Sequence, residues 1–152
     1  MGTPDYKWVK FKNGIGYVAI VNMEVVPNPA GKNEIIECYP GKIFNSEGYV
    51  EQFPPHKPWK LAARLGLEYA FSFVDTNWKV SMTKIVGSNV DTNSTIVGYT
   101  VMRAFFDRIN FKLDEKKIIL LEDFVLSSWK KSYKELIPNF FNLTFSEYNP
   151  DK

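Results

Sequence analysis

Few side chains in this sequence are of the types that act as nucleophiles, general bases or metal ligands. The one cysteine, Cys38, and the one histidine, His56, could form a Cys–His nucleophile pair. However, Cys38 lies in an apolar β-like run, where a cysteine usually packs as a small buried hydrophobe, and His56 lies between Pro55 and Lys57, as a solvated loop residue would. One His and one Cys cannot form the usual zinc cluster either. We therefore predict no catalytic residue, no cofactor and no metal site.

A polar loop before an apolar helix pattern offers the other candidate chemistry. A helix that begins near Thr92 exposes about four unpaired N–H groups and a positive dipole end, which favour an anion. Alternatively, Asp91 or Thr92 caps this helix, and a capping aspartate would itself oppose an anion. The cap is the favoured interpretation. The candidate binding residues are Lys84, Ser88, Asn89, Asp91, Thr92 and Asn93, together with His56.

Nucleotide and nucleic-acid signals are weak. The segment 14-GIG-16 lacks the third glycine and the following helix of a dinucleotide fingerprint, and no GxxxxGK[ST] phosphate loop occurs. Basic and aromatic residues alternate in 129-WKKSYK-134, a pattern that can grip single-stranded nucleic acid. More often it marks the solvated face of a helix. The net charge of +2 argues only weakly for a polyanionic partner.

Alternating patterns predict the strands of the first third of the chain. Residues 8–12 and 15–26 flank Asn13-Gly14, the dipeptide most typical of a two-residue hairpin turn. A third strand at 34–39 would complete an antiparallel meander. The stretch 40–58 is rich in proline and predicts an irregular connection.

Two helices and a strand follow in the pattern. Pro58 opens a helix over 58–74. One of its faces carries the large residues Leu61, Leu65, Tyr69 and Phe73, and another carries the small residues Ala62, Ala63, Gly66 and Ala70. Alternation predicts a strand at 78–86 with a bulge or bend near Lys84 and Ile85. A 3.6-residue period predicts a second helix over 92–109.

The last third of the chain is predicted as a helical extension. Residues 117–121 fit either a strand or the start of a helix. Acidic residues early and lysines late in 122–137 fit a helix dipole, and Pro138 would end that helix. The aromatic tail after it is expected to pack back on the body.

These elements predict a single α+β domain over residues 1–152, in the order β-β-β-α-β-α. The expected form is a two-layer sandwich, in which a four-stranded sheet carries two helices on one face, with an extra C-terminal helix. A chain of this length can bury one core. It has no apolar run of membrane-spanning length and no N-terminal signal pattern. We expect a soluble, cytoplasmic protein with no membrane partner.

Three segments resemble one known domain. The strings 16-GYVAIVNMEVVPNP-29, 60-KLAARLGLEYAFSF-73 and 78-WKVSMTKIVGSNVDTNSTIVGYTVMRAF-105 resemble a strand, the first helix and the strand–tip loop–second helix of domain IV of bacterial elongation factor G. The resemblance covers residues 15–109 and leaves 110–152 as a C-terminal extension. It implies a two-layer sandwich without catalysis, whose tip loops reach the ribosomal decoding region. No GTPase domain accompanies it.

Three functions are consistent with these patterns. The first is a non-catalytic binding module that recognises RNA, a ribosomal surface or a protein partner through the 86–95 loop, the Asn13-Gly14 turn and the 40–57 loop. The second is a small enzyme with a site between that long loop and the start of the second helix, using His56 or Cys38. The third is a regulatory or inhibitor protein that binds one protein through exposed aromatics. The scarcity of His, Cys and paired carboxylates argues against the enzyme.

Overall fold

The computed structural model describes residues 3–39, 43–46, 49–52, 56–88, 90–130 and 135–150. The strands in these ranges are β1 (Tyr6–Lys12), β2 (Ile15–Pro27), β3 (Glu34–Glu37), β4 (Ile43–Ser46), β5 (Tyr49–Gln52), β6 (Trp78–Gly87), β7 (Leu136–Asn139) and β8 (Thr144–Glu147). The helices are α1 (Lys57–Phe71), α2 (Ser94–Arg108) and α3 (Glu115–Leu126), and a 3-10 turn, Ser127–Lys130, follows α3. The chain therefore has the predicted α+β composition.

The first hairpin forms where the sequence predicted it. Asn13 and Gly14 both have positive φ, 53° and 77°, as a two-residue turn between twisted strands requires. The antiparallel register pairs Trp8 with Ala19. Trp8 and Ala19 face the helices, and the ring of Trp8 packs edge-on against Tyr99 of α2 at 5.2 Å. Because side chains alternate along a strand, the odd-numbered residues of β1 face the opposite side of the sheet.

The predicted meander is wrong in its third strand. β6 lies between β2 and β3, and β3 pairs with it in parallel, Glu34–Glu37 beside Lys79–Met82. The turn after β2 is fastened to the start of β6, since the Asn28 amide donates to the Asn77 carbonyl (3.0 Å) and the Trp78 amide donates to Asn33 Oδ1 (2.8 Å). These bonds carry the chain past the end of β6 to its far edge.

β1, β2, β6 and β3 form the four-stranded mixed part of the sheet, which confirms the predicted two-layer architecture, and β5 and β4 extend this sheet to six strands. The predicted irregular connection over 40–58 is wrong in part, because β4 and β5 form an antiparallel hairpin there. β5 pairs with the C-terminal end of β6, with Val50 opposite Gly87 and Glu51 opposite Val86. The far edge of β6 is thus shared between β3 and β5.

The bulge predicted near Lys84 and Ile85 is confirmed. The register between β2 and β6 shifts where Asn22 pairs with Lys84 and Met23 pairs with Met82. The extra residue on β6 changes which side chains point to the helices. Val80 and Met82 face inward before it and Ile85 faces inward after it, so that all three are almost fully buried.

The two central helices pack closely, and α2 is buried along nearly its whole length. Of the two faces of α1, the face with large residues is the less buried at its start, because Leu61 is exposed and Leu65 is only partly buried. The face that packs against α2 is the small-residue face with Ala62, Ala63, Gly66 and Ala70. Small side chains allow two helix backbones to approach closely, which large ones would prevent.

The C-terminal part differs most from the prediction. Residues 117–121 belong to α3, which ends at Leu126. The predicted helix over 122–137 is therefore wrong at 127–130, which form a 3-10 turn, and at 136–137, which lie in β7. Pro138 lies in the β7–β8 hairpin, opposite Phe145. The tail does pack back as expected, because Phe140 is buried and its ring lies 6.1 Å from that of Tyr69. None of the helices in the described ranges is both long and apolar enough to span a membrane.

Candidate functional site

The loop after β6 is closed by its own hydrogen bonds. The Thr92 amide donates to the Ser88 carbonyl (3.0 Å), and the Ser88 amide donates to Thr92 Oγ1 (2.8 Å). The Val90 amide, at the tip, donates to Ser88 Oγ (3.3 Å). Ser88 and Thr92 are both buried. Their hydroxyl groups therefore hold the loop together and are not presented to a ligand.

The same loop continues the sheet beside β2. The Val18 amide donates to the Asp91 carbonyl (2.8 Å), and Thr92 Oγ1 donates to the Val18 carbonyl (2.5 Å). Val18 precedes Ile20, the first β2 residue that pairs with β6. The loop thus takes the place of a strand where β6 has ended. This satisfies backbone groups that would otherwise be unpaired.

Two glycines make this close approach possible. A Cβ added at Gly16 would lie 2.6 Å from Asp91 Oδ1, and one added at Gly87 would lie 2.5 Å from Thr92 Cγ2. A side chain at Gly87 would displace Thr92, and one at Gly16 would displace the Asp91 carboxylate. The sequence contained both glycines, but their purpose is visible only when the two segments are side by side.

The predicted helix cap is wrong by one or two residues. α2 begins at Ser94, and its N-cap is Asn93, whose Oδ1 accepts from the Ile96 amide (2.9 Å). Asn93 Nδ2 donates to Ser128 Oγ (2.8 Å), which ties the cap to the turn after α3. Asp91 is instead held over β2. The first turn of α2 is therefore capped by the Asn93 side chain and is buried, so its N–H groups are not presented to an anion.

The remaining predicted binding residues either make no hydrogen bond within this loop or lie outside the described residues. Lys84 Nζ is 3.3 Å from Asp5 Oδ2, in an ion pair across the sheet. His56 precedes α1, where its Nε2 lies 3.7 Å from Glu135 Oε1 and its ring packs edge-on against Trp59. Asn89 lies outside the described residues. The structure therefore brings together Ser88, Asp91, Thr92 and Asn93.

What the loop does present to solvent is apolar. Val90 is 76 % exposed at the tip of the loop and Phe11 of β1 is 75 % exposed. These are the two highest values among the exposed large hydrophobic residues of the described ranges. Phe11 Cε1 lies 3.2 Å from the point where a Gly16 Cβ would be, and Asp91 Oδ1 lies 2.6 Å from the same point. Phe11 and the loop are therefore neighbours across β2.

Val9, two residues before Phe11 on the same face of β1, is 41 % exposed and pairs with Val18. We call Val9, Phe11, Val90 and Asp91 the Phe11–Val90 patch. The Phe11–Val90 patch was not predicted from the sequence, because exposure is a property of the folded chain. One signal was present, since the inward-facing Trp8 fixes the phase of β1 and places Phe11 on the outward side.

Cys38, one of the two residues of the enzyme hypothesis, differs from its predicted environment. Cys38 is exposed, which contradicts the predicted burial. Its amide donates to the Met82 carbonyl (2.8 Å) and extends the pairing of β3 with β6. Within the described part of the chain, no three side chains among His, Cys, Asp and Glu come together as a metal site would require. Residues 131–134 of the basic–aromatic segment fall outside the described ranges, so that prediction stays open.

No protein-family model matches the chain. No curated protein matches it significantly either.

Proposed function

We propose that this chain is a non-catalytic binding module that recognises another protein through the Phe11–Val90 patch. The observation that carries the proposal is that Phe11 and Val90, two apolar side chains three-quarters exposed, lie on neighbouring segments, because Phe11 Cε1 and Asp91 Oδ1 both approach Gly16. Adjacent exposed apolar groups are the usual mark of an interaction surface. Covering such a side chain completely contributes about 1.5–3 kcal/mol.

The backbone beneath the patch is well suited to a binding surface. The loop is tied to Val18 by two hydrogen bonds and closed by its own Ser88–Thr92 bonds. These bonds hold Ser88, Asp91 and Thr92 beside Val90, which limits the conformational entropy lost when a partner binds Val90. This favours a protruding contact loop, as the resemblance to elongation factor G domain IV also does.

The chemistry of the patch favours protein over RNA. Its one charged member, Asp91, is acidic and would repel phosphate groups. The nearby cation Lys84 is paired with Asp5. A ribosomal surface remains within the proposal only where it is protein. One exposed basic residue of β1, Lys7, faces the same side as Phe11. RNA binding would require a wider basic surface than this.

The test compares the chain with a double variant, Phe11→Ser with Val90→Ser, and with a matched control, Val26→Ser with Leu61→Ser. Val26 and Leu61 are exposed apolar residues elsewhere, so the control removes the same kind of surface. Binding partners are isolated on the immobilised chain from a lysate of the source cells, with and without ribonuclease and at two salt concentrations.

We expect protein partners that the parent chain and the control retain and the patch variant loses, without sensitivity to ribonuclease. Apolar contacts depend little on salt, whereas phosphate contacts weaken steeply as salt rises. Retention of the same partners by the patch variant would refute the proposal. Capture that is abolished by ribonuclease and by salt would replace it with RNA binding. Joint substitution of Cys38 and His56 should change neither result.

A further inference from the structure

A cleft on the helix side of the sheet, away from the Phe11–Val90 patch, has the features of a small-molecule site. It lies between the start of β1, the end of α2 and the connection to α3, and its volume is about 510 Å³. Sites for small ligands usually have volumes of about 300–1,000 Å³. Its lining includes Tyr6, Arg103, Phe106, Asp107, Phe111 and Lys112. We call it the Arg103 cleft.

Arg103 has phenol groups around it where a carboxylate is the usual partner. Its Nη1 donates to the Tyr99 hydroxyl (3.0 Å), and Tyr6 also interacts with the guanidinium. Glu122 is engaged elsewhere, because it accepts from the Tyr99 hydroxyl (2.8 Å) and pairs with Lys10 (3.3 Å). Among the described residues, no carboxylate oxygen lies within the 4.0 Å of an ion pair with Arg103.

The charge on Arg103 is therefore partly buried, and no carboxylate of the described residues lies within ion-pair distance of it. Burial raises the pKa of Tyr99 and also that of Tyr6, so both phenols are neutral at physiological pH. Burial acts to lower the pKa of Arg103, but the hydrogen bond with Tyr99 and the charge of Glu122 act to raise it, and the guanidinium stays charged. A guanidinium has five N–H donors in a planar fork that fits a carboxylate. Its unused donors make it the natural anion-binding group of the cleft.

An aromatic wall lies in the same cleft. The rings of Phe106 and Phe111 are stacked, with centroids 5.0 Å apart and planes at 30°. Phe106 is buried and Ile118 continues the apolar lining. Such a wall favours a ligand with a flat apolar group, because aromatic contacts add to simple area burial.

The acidic lining limits the kind of anion. Asp107, Asp114 and Glu115 line the cleft with only Arg103 and Lys112 as cations. The excess of negative charge disfavours a phosphate dianion and favours a ligand that carries its own positive charge. Asp107 is exposed in the last turn of α2, where the helix dipole opposes an acid. A cationic group of a ligand would offset the unfavourable interaction between the Asp107 carboxylate and the helix dipole.

We propose that the Arg103 cleft binds a small zwitterion with an aromatic group, which is the chemistry of an aromatic amino acid. Its carboxylate pairs with Arg103, its ammonium group faces Asp107 and its ring lies on Phe111, which the buried ring of Phe106 supports. The site and the Phe11–Val90 patch are on opposite faces of β1, so either can fail without the other.

The probes are L-phenylalanine, 3-phenylpropionate without the ammonium group, phenethylamine without the carboxylate, and inorganic phosphate. Each is titrated into the full chain by calorimetry and by amide NMR shifts. We expect saturable binding of L-phenylalanine with shifts at Arg103, Asp107 and Phe111. Each lost charge should weaken binding by about tenfold, the effect of one charge-assisted hydrogen bond. Phosphate should not bind.

Two variants test the assigned roles. Arg103→Met should weaken the binding of L-phenylalanine by about tenfold, as loss of the ligand carboxylate does. Asp107→Asn alters an exposed residue that the fold does not need, so it keeps the test valid if Arg103→Met fails to fold. Asp107→Asn should weaken the binding of L-phenylalanine by about tenfold and leave the binding of 3-phenylpropionate unchanged. Glu68→Gln, at an exposed position of α1, is the control and should change neither. Absence of saturable L-phenylalanine binding, or unchanged affinity in Asp107→Asn, overturns the proposal.

Discussion

Gly66 of α1 and Gly98 of α2 lie with their backbones in contact. A Cβ added at Gly66 would overlap the Gly98 carbonyl oxygen, and one added at Gly98 would lie 2.8 Å from the Ala62 carbonyl oxygen and 2.9 Å from the Phe140 ring. The obstacle at Gly66 is backbone, which cannot rotate away as the end of a side chain can. The spacing of the two helices therefore depends on both glycines.

We expect Gly66→Ala to destabilise the chain. Alanine is intrinsically favoured over glycine in a helix by about 1 kcal/mol, but forcing apart a packed core usually costs about 1–3 kcal/mol. With backbone as the obstacle, the second effect should exceed the first. Urea denaturation should show a lower free energy of unfolding, whereas Glu68→Ala on the exposed side of α1 should change it by less than about 0.5 kcal/mol. A stabilised Gly66→Ala variant would contradict the observed helix contact.

The same contact explains why the core face of α1 could not be predicted. The sequence offered two faces, one with large residues and one with small residues. Periodicity identifies faces but does not say which one meets a neighbouring element. The choice was made by α2, which presents its own glycine, Gly98, to the small face. Only a comparison of α1 with α2 could have suggested it.

Strand positions were predictable and strand partners were not. The Asn13-Gly14 hairpin was correct because turn chemistry acts locally. β3 was located correctly but assigned to the wrong neighbour, because its partner β6 lies more than forty residues away along the chain. The β7–β8 hairpin was missed because acids followed by lysines and a terminal proline also fit a helix. Local pattern alone cannot decide between these pairings.

The candidate site was predictable in place and not in chemistry. Asp91, Thr92 and Asn93 are all residue types that cap helices, and the sequence could not rank them. β2 makes the choice by capturing Asp91 and Thr92 in hydrogen bonds with Val18. Asn93 is left to cap α2. The exposed Phe11–Val90 pair could not be foreseen, because it joins segments that only the fold brings together.

Replacement of Asn93 should therefore matter more than replacement of Asp91. We expect Asn93→Ala to lower the free energy of unfolding by about 1 kcal/mol, the usual effect of a lost N-cap. The carboxylate of Asp91 lies over Gly16 and does not cap α2, so Asp91→Ala should change it by less than about 0.5 kcal/mol. Thermal or urea unfolding of the two variants measures this directly. An equal loss in both would restore Asp91 as a cap.

Thr92 should be the most sensitive residue of the loop. Its buried hydroxyl donates to the Val18 carbonyl and accepts from the Ser88 amide. Thr92→Val keeps the shape and leaves both backbone groups unpaired, so we expect a loss of about 2 kcal/mol. The Ser88 amide should also exchange faster with solvent. Thr144→Val, at an exposed position, is the matched control and should be nearly neutral. A Thr92→Val variant as stable as the control would mean that the loop is not held by this hydroxyl.

The phenol of Tyr99 should make the chain sensitive to alkali. Burial, and the hydrogen bond to Glu122, raise its pKa above the ordinary value of 10.0. A raised pKa means that the folded chain holds the proton more tightly than the unfolded chain. The resulting stability is fully present below about pH 10 and is lost as the pH rises above it. Urea unfolding at a series of pH values should show this fall, with tyrosinate absorbance reporting ionisation on unfolding.

In Tyr99→Phe we expect lower stability at neutral pH, because Arg103 and Glu122 lose a shared partner, and a shallower fall above pH 10. An equal slope in both proteins would show that Tyr99 does not carry the effect.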